Sequence, residues 1–428
     1  MQGVGRLPDG RAVFVPGAMP GEIVNIEIER DKGRFCEASL VSIAQPSPKR
    51  RAPACALAGR CGGCQARHMS YGYTLELKRQ KVYDALKRIG GVESPVVNET
   101  IGSPSADRSR NKAEYPIAVQ NDLPVIGAYA PGSHRIVPLE DCLSQDALSC
   151  EALRWFSRHL PGMSFAGHLE FLVTRVNRAG ELMLALSGDA PIMRDIEALV
   201  PALKAELPAM RSLWYCQLNR RFAHALDGRC SRVFGDATLK EQLFDLHFEV
   251  SPQAFFQVNA AQAEKLYLTA LRAAGIAPGC DLTVLDAYCG AGTITLSAAR
   301  WARQATGIEI VPQAIENARH NARINGLEDR ASFICADAAS EIPKLLTAGK
   351  CFDVVILDPP RKGADEDLLA AIVKAGIPTI SYVSCNPATL ARDVKYLCAN
   401  GFHLAWAQPV DMFPWTGHVE TVVLMSRK

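Results

Sequence analysis

The arrangement of apolar and polar positions divides the chain into three stretches of different period. Up to residue 45, short alternating runs such as Ala12-Val-Phe-Val15 and Ile23-Val-Asn-Ile-Glu-Ile28 are broken by Pro-Gly turns. Half-buried strands closing into a small β-barrel give that pattern. Gln45-Pro-Ser-Pro-Lys-Arg-Arg51 then reads as a linker. Residues 46–250 are mixed, with an amphipathic helix predicted over 71–89 and strands near 169–176 and 181–187, an α+β region. From about 281 the pattern is regular. Strands near 282–286, 305–310, 331–336, 353–358 and 379–385 alternate with helical stretches, which predicts a doubly wound parallel sheet with right-handed crossovers. The last two runs, 402–408 and 419–425, are separated only by a loop containing Pro, Trp and Gly, and predict an antiparallel hairpin at the sheet edge. The expected domains are therefore 1–45, 46–250 and 251–428, with the 71–89 helix free to pack on the third.

Composition narrows the class. At 428 residues, 48% apolar and 21% charged, the chain can bury real cores. No apolar run reaches the roughly 18 residues that span a bilayer, and the first ten residues lack the apolar core of a signal peptide, so a cytoplasmic protein without membrane attachment is expected, working as a monomer. Fourteen cysteines in a reducing compartment point to metal ligation, catalysis or burial ahead of disulfides. The net charge of +2 hides an asymmetry: between Lys49 and Lys112 thirteen Lys and Arg face five Asp and Glu, a surplus of about +8. Such a footprint suits nucleic acid; the plain alternative is a solvated basic face.

The chemistry sits where apolar runs break. Phe352-Asp-Val-Val-Ile-Leu-Asp-Pro-Pro-Arg-Lys-Gly363 and Tyr382-Val-Ser-Cys-Asn-Pro387 each read as a buried strand ending in polar residues, the edge at which α/β sheets bind ligands. Upstream, Leu285-Asp-Ala-Tyr-Cys-Gly-Ala-Gly-Thr293 places Gly290 and Gly292 in a strand-to-helix turn, where backbone amides can approach a ligand closely. Position 295 is Thr rather than the third glycine of a dinucleotide fingerprint, which disfavours a dehydrogenase. Glu309 closes the second strand, where a carboxylate can accept ribose hydroxyls; Asp337 and Asp358 close the third and fourth. Any one of these could be a helix N-cap instead.

This series of strand ends resembles the class I S-adenosylmethionine-dependent methyltransferases, whose sheet also ends in an antiparallel hairpin. Cys385 then becomes informative, because oxygen and nitrogen acceptors need no thiol. C5 of a pyrimidine does: a thiolate added at C6 makes C5 enolate-like, and a base must later remove the C5 proton. Glu420 in Trp415-Thr-Gly-His-Val-Glu-Thr421 is the candidate base, with His418 as the alternative. Cys280, Cys289, Cys335, Cys351 and Cys398 read as packing cysteines.

Over nearly its whole length the chain resembles the RNA (uracil-5)-methyltransferase family. The resemblance implies that Cys385 of Ser-Cys-Asn-Pro is the nucleophile and Glu420 of His-Val-Glu the base. It also implies that Gln257, Tyr288, Gly290, Gly292, Glu309, Asp337 and Asp358 bind S-adenosylmethionine. Residues 1–45 resemble a TRAM domain, a small RNA-binding barrel, whose usual first strand would lie before Met1.

Cys55, Cys61 and Cys64 form C-x5-C-x2-C, a grouping suited to a soft metal or iron–sulfur cluster, with Cys142 or Cys150 as the fourth ligand. Relatives carry a [4Fe-4S] cluster on this spacing, and the match at Leu139-Glu-Asp-Cys142 selects Cys142. Zinc is the alternative metal. Four thiolates leave no iron open, which disfavours radical chemistry and suggests a structural or RNA-ordering cluster. Arg211, Arg220, Arg221, Arg229 and Arg232 among Trp214, Tyr215 and Phe222 suit phosphate contact and base stacking, or simply a solvated face on core aromatics. Barrel and cluster together resemble the branch acting on 23S rRNA, with tRNA the alternative substrate. The rival readings are a methyltransferase of amino or carboxyl groups and a non-catalytic RNA-binding or assembly factor that retains the fold.

Overall fold

The computed structural model describes residues 2–219 and 224–427. Strands β1 (Gly3–Arg6), β2 (Ala12–Val15), β3 (Ile23–Asp31) and β4 (Phe35–Gln45) form one sheet in the order β1-β2-β4-β3. Alternation along β2 and β4 turns Val13, Val15, Cys36 and Ala38 inward. The expected linker is docked rather than loose: Arg50 reaches the Glu22 carboxylate and the Gly17 carbonyl, and Ser47 N–H also bonds Glu22.

Helix α1 (Tyr71–Arg88) follows, starting at Ser70 and carrying Lys87 and Arg88 in its last turn, where the helix dipole favours cations. Its buried stripe of Val82 and Leu86 joins the core of the C-terminal domain, so this helix belongs by packing to a domain that begins far downstream of it in the chain. Residues 97–101 extend the same attachment by pairing with the edge of the C-terminal sheet, Val97 beside Ala407 and Ile101 beside Val410.

The central region is built on β5 (Lys112–Gln120), β6 (Leu123–Tyr129), β7 (Ile136–Pro138), β8 (Leu169–Val176), β9 (Leu182–Gly188), β10 (Met210–Leu218) and β11 (Gly228–Gly235). They pair in the order β11-β10-β9-β8-β5-β6-β7. Helices α2 (Ala147–His159), α3 (Met193–Ala198) and α4 (Val200–Glu206) supply Leu153, Trp155, Phe156, Ile196 and Leu203 to its core. Cys216 and Cys230 stand directly opposite each other on β10 and β11 and form a disulfide, although composition had ranked disulfides last.

A hairpin of β12 (Leu239–Leu243) and β13 (Leu246–Val250) leads into α5 (Ala260–Ala273). Its Leu243, Leu246, Phe248 and Val250 sit in the C-terminal core, ahead of the expected boundary at 250. The regular alternation then appears as expected: β14 (Thr283–Asp286), α6 (Thr293–Ala299), β15 (Gln304–Glu309), α7 (Pro312–Ile324), β16 (Ala331–Cys335), α8 (Ala338–Thr347), β17 (Val354–Leu357), α9 (Glu366–Ala375), β18 (Thr379–Ser384), α10 (Pro387–Ala399), β19 (Phe402–Val410) and β20 (Glu420–Arg427). The strand order is β16-β15-β14-β17-β18-β20-β19, parallel except for the closing hairpin. This is a class I methyltransferase-like α/β fold.

Among the described residues no helix is long and apolar enough to cross a membrane. Cys289 is buried as expected of a packing cysteine, but Cys335 at the end of β16 and Cys351 in the loop before β17 are exposed.

Candidate active site

The breaks that end β17 and β18 lie side by side at the carboxyl edge of the sheet. Leu357 pairs with Tyr382, so Asp358 leaves β17 beside the end of β18. Ser384 pairs with Thr421 on the antiparallel β20, which sets Glu420 opposite Cys385. The turn is fixed by its own sequence. Asn386 caps α10 by accepting from Ala388 N–H at 3.1 Å, while its amide donates to the Arg361 carbonyl at 3.2 Å. Ser384 Oγ accepts from Asn386 N–H at 3.1 Å. Cys385 is thereby held at the end of β18, between the end of β17 and the start of β20.

The pocket gathers buried carboxyls whose ionisation is disfavoured, with Arg361 the cation that opposes this at Glu420. Glu420 is 5% exposed and its carboxyl is pushed up to about 8, first by burial and then by Asp358, with Arg361 opposing. Asp358 is pushed up to about 7 by burial and by Asp286. Asp286, fully buried, rises to about 6 through burial despite accepting from Thr295 Oγ1 at 2.7 Å and from Tyr288 N–H. The same field raises the Cys385 thiol: burial first, then Glu420 and Asp358, with Arg361 lowering it. Stacked carboxylates without matching cations favour a positively charged ligand.

That field makes folding stability depend on pH. A carboxyl whose folded pKa is raised contributes stability that is complete below its ordinary range and is lost as pH rises through the folded value, about 7 for Asp358 and about 8 for Glu420. The thermal midpoint of ligand-free protein should therefore fall as pH rises from about 4.5 to about 8, level off above that, and fall less in Glu420→Gln. Calorimetry across that range checks it; identical profiles for the two proteins would show that Glu420 titrates normally.

The glycine turn forms the other wall. Gly290 and Gly292 have φ of +52° and +86°, and a Cβ on Gly292 would meet the Phe333 ring at 3.1 Å. Both carboxylate oxygens of Glu309 are engaged, by Gly290 N–H at 3.3 Å and Val311 N–H at 2.9 Å, so Glu309 shapes the turn as well as facing it. Asp337 caps α8 through Ser340 N–H at 3.0 Å. The N-cap alternative weighed for the strand-end acids is thus realised at this position. Tyr288 is half-buried, its hydroxyl pushed up to about 12, chiefly by burial. Gln257 is buried, its segment fixed because Asn111 N–H donates to Val258 O at 2.7 Å and Asn111 Nδ2 to Gln257 O at 3.2 Å.

Two residues of this pocket escaped sequence reasoning. Tyr267 on α5 is buried where it meets Gln257, Thr293 and the charges of Asp358 and Glu420; burial is the main force raising its hydroxyl. On a helix it reads as core, and its tyrosine hydroxyl is the only signal. Arg361 acts on both Cys385 and Glu420, and its signal was its place in Asp-Pro-Pro-Arg. His418 is exposed and packs edge-on to Phe413, whereas Glu420 is the residue facing Cys385.

Among Cys55, Cys61, Cys64 and Cys142, some thiols lie within electrostatic reach of one another. Cys61 feels Cys64 and Cys55, and Cys142 feels Cys64 and Cys61, although burial is the main force raising both thiols. Cys150 instead contacts the Cys142 carbonyl and Arg108. Among the described residues, however, no group of three or more His, Cys, Asp or Glu is placed to hold a metal ion. Of the arginine–aromatic patch, Arg220, Arg221 and Phe222 lie outside the described residues. Arg229 and Arg232 are exposed on β11, Arg232 opposite Trp214; Arg211 pairs with Glu181 at 2.9 Å, and Tyr215 is core.

Residues 231–428 match the family model described as tRNA (uracil-5-)-methyltransferase, and residues 1–41 match the TRAM domain. An uncharacterized RNA methyltransferase of Caldanaerobacter subterraneus is 39% identical over 435 residues, covering 100% of this chain and 95% of that protein. Another from Clostridium acetobutylicum is 37% identical, covering 100% and 94%. The chain belongs to the RNA (uracil-5)-methyltransferase family. Among solved structures, the tRNA (uracil-54, C5)-methyltransferase of Pyrococcus abyssi, in complex with S-adenosyl-L-homocysteine, superposes with a TM-score of 0.76 at 27% identity, covering 99% of this chain and 100% of that one. The methyltransferase is therefore an S-adenosylmethionine-dependent enzyme of RNA, with an N-terminal TRAM domain.

Proposed function

We propose that the chain methylates C5 of a specific uridine, in 23S rRNA ahead of tRNA, with Cys385 as nucleophile and Glu420 as general base. The observation that carries this reading is the placement of Glu420 across the sheet edge from Cys385, beside Asp358. The methyl donor brings a sulfonium cation, which suits a pocket whose carboxyl groups are held above their ordinary range. Gln257, Tyr288, Gly290, Gly292, Glu309, Asp337 and Asp358 line its proposed site, Asp337 contributing whatever its capping role leaves free.

In the proposed sequence the Cys385 thiolate adds to C6 of uracil, and the C5=C6 electron pair moves toward O4, leaving C5 enolate-like. C5 takes the methyl group; the new C–C bond forms as the bond to sulfur breaks and its electrons stay on sulfur. Glu420 then removes the C5 proton, those electrons restore C5=C6, and the C6–S bond breaks to return the thiolate. Arg361 lowers the thiol pKa and so favours the thiolate. The net release is one proton.

Incubation with methyl-labelled S-adenosylmethionine and unmodified 23S rRNA or tRNA, followed by nucleoside mass spectrometry, tests the reading. 5-Methyluridine in the ribosomal RNA is expected. The TRAM domain and the C-x5-C-x2-C grouping favour that substrate, while the solved neighbour, named for tRNA, supports the alternative. No label in any RNA would leave the binding-factor reading standing.

We further propose that Cys55, Cys61, Cys64 and Cys142 hold a [4Fe-4S] cluster with a structural or RNA-ordering role. The support is the C-x5-C-x2-C spacing, with Cys142 from a distant segment within electrostatic reach of Cys61 and Cys64, whereas Cys150 contacts the Cys142 carbonyl and Arg108. Against it stands the absence of a ready-made ligand set among the described residues, so no catalytic step runs through it. Anaerobically purified protein should contain iron and sulfide, lost in Cys64→Ser, and the folded cluster-free variant should keep single-turnover methylation. Zinc in place of iron, or loss of the chemical step with RNA binding intact, would contradict this role.

A further inference from the structure

Residues 411–419, between β19 and β20, lead directly into Glu420, and the bonds that hold this loop reach it from three other parts of the chain. Asp411 is fully buried. Its carboxylate accepts from the ammonium of Lys78, also fully buried on α1, and from the Tyr71 hydroxyl at 2.8 Å. Tyr71 is itself fixed by accepting from Ser103 N–H at 2.7 Å. Lys78 also donates to the Phe413 carbonyl at 3.0 Å. From α5 and its cap, Gln262 donates to Asp411 O at 3.0 Å and Asn259 to Met412 O at 3.3 Å.

The other end of the loop is gripped as firmly. Trp415 has φ of +64°, a conformation that a bulky residue keeps only where its surroundings impose it. Its carbonyl accepts from Gln65 and Ala66 N–H at 3.0 Å each, and its indole donates to Asp107 at 2.8 Å. The guanidinium groups of Arg51 and Arg67 lie 4.9 and 5.2 Å from its ring centre.

A buried ion pair is costly to desolvate and is weak evidence for stability, so its use here calls for a geometric reason. We propose that Lys78, Tyr71 and Asp411 are positioning residues for Glu420, fixing the 411–419 loop so that the carboxylate reaches C5 after methyl transfer. Base placement then depends on the 51–107 region rather than on the methyltransferase sheet alone. Cys385 is held independently, by Asn386 and the Arg361 turn. Loosening the loop therefore slows proton removal and thiolate release more than adduct formation. The inference rests on the reading of Cys385 and Glu420 given above.

The test uses full-length Lys78→Met and Tyr71→Phe, with Glu420→Gln as reference and whichever transcript, 23S rRNA or tRNA, the unaltered protein labels. Covalent enzyme–RNA adduct is measured on denaturing gels beside released 5-methyluridine. Lys78→Met should raise the adduct-to-product ratio by about tenfold and Tyr71→Phe by a few-fold, with adduct formation within about twofold of normal. Tyr71→Phe removes one oxygen and keeps the test open where Lys78→Met folds poorly. An unchanged ratio in Tyr71→Phe and any folded Lys78→Met, with Glu420→Gln accumulating adduct, overturns the positioning role alone. If Glu420→Gln accumulates none, the reading of Glu420 as base falls, and the inference with it.

Discussion

Replacing Cys385 with Ala abolishes both 5-methyluridine formation and the covalent enzyme–RNA adduct, while binding of RNA and methyl donor persists. The expected loss is roughly a thousandfold or more, the scale on which removal of a catalytic nucleophile usually reads. The physical reason is that C5 of uracil is too weak a nucleophile to take the methyl group until a thiolate has added at C6. Cys385 follows β18 and stands between Asp358 and Glu420. The substitution removes one sulfur from a half-buried turn whose hydrogen bonds run through Ser384 and Asn386, so the fold should be little disturbed. Filter binding and labelled-nucleoside analysis of the same preparation separate the two effects. A Cys385→Ala protein that still methylates uridine would return the site to a direct-transfer chemistry.

Replacing Glu420 with Gln gives a different defect: the methyl group is transferred, but the product stays bound through sulfur. The carboxylate is needed only to take the C5 proton, and turnover should fall roughly 10²- to 10⁴-fold, the usual contribution of a general base. Glutamine keeps the shape of a side chain that is 5% exposed and removes the ionisation that burial and Asp358 oppose. The variant should therefore be no less stable than the parent at alkaline pH, and trapped rather than inactive. Rapid quench followed by denaturing gels measures this. Equal loss of adduct and product would assign Glu420 to binding instead.

How much of this was legible in the sequence depended on whether the signal was local. The parallel strands announced themselves because a strand buried on both faces needs a continuous apolar run, and Val354–Leu357 is such a run ending at Asp358. Cys385 and Glu420 could be nominated from their motifs, but their apposition could not, since it depends on β20 inserting between β18 and β19. Asp337 shows the converse: the same strand-end position serves as a helix cap, and only the bond to Ser340 reveals it. Tyr267 was lost because a tyrosine on the buried face of a helix carries no periodic mark of its contacts. Lys78 and Asp411 are separated by 333 residues, a distance over which no pattern of one sequence can pair a buried cation with its anion. The boundary at 250 came too late for a related reason: the β12–β13 hairpin looks like its predecessors in sequence and differs only in what it packs against.

The most direct test of the covalent mechanism is peptide mass spectrometry on Glu420→Gln, after incubation with RNA and methyl-labelled S-adenosylmethionine and digestion by ribonuclease and protease. The expected result is the peptide containing Cys385 carrying a nucleotide with the labelled methyl group. Label recovered only on free RNA, or a nucleotide attached to any other residue, would contradict it.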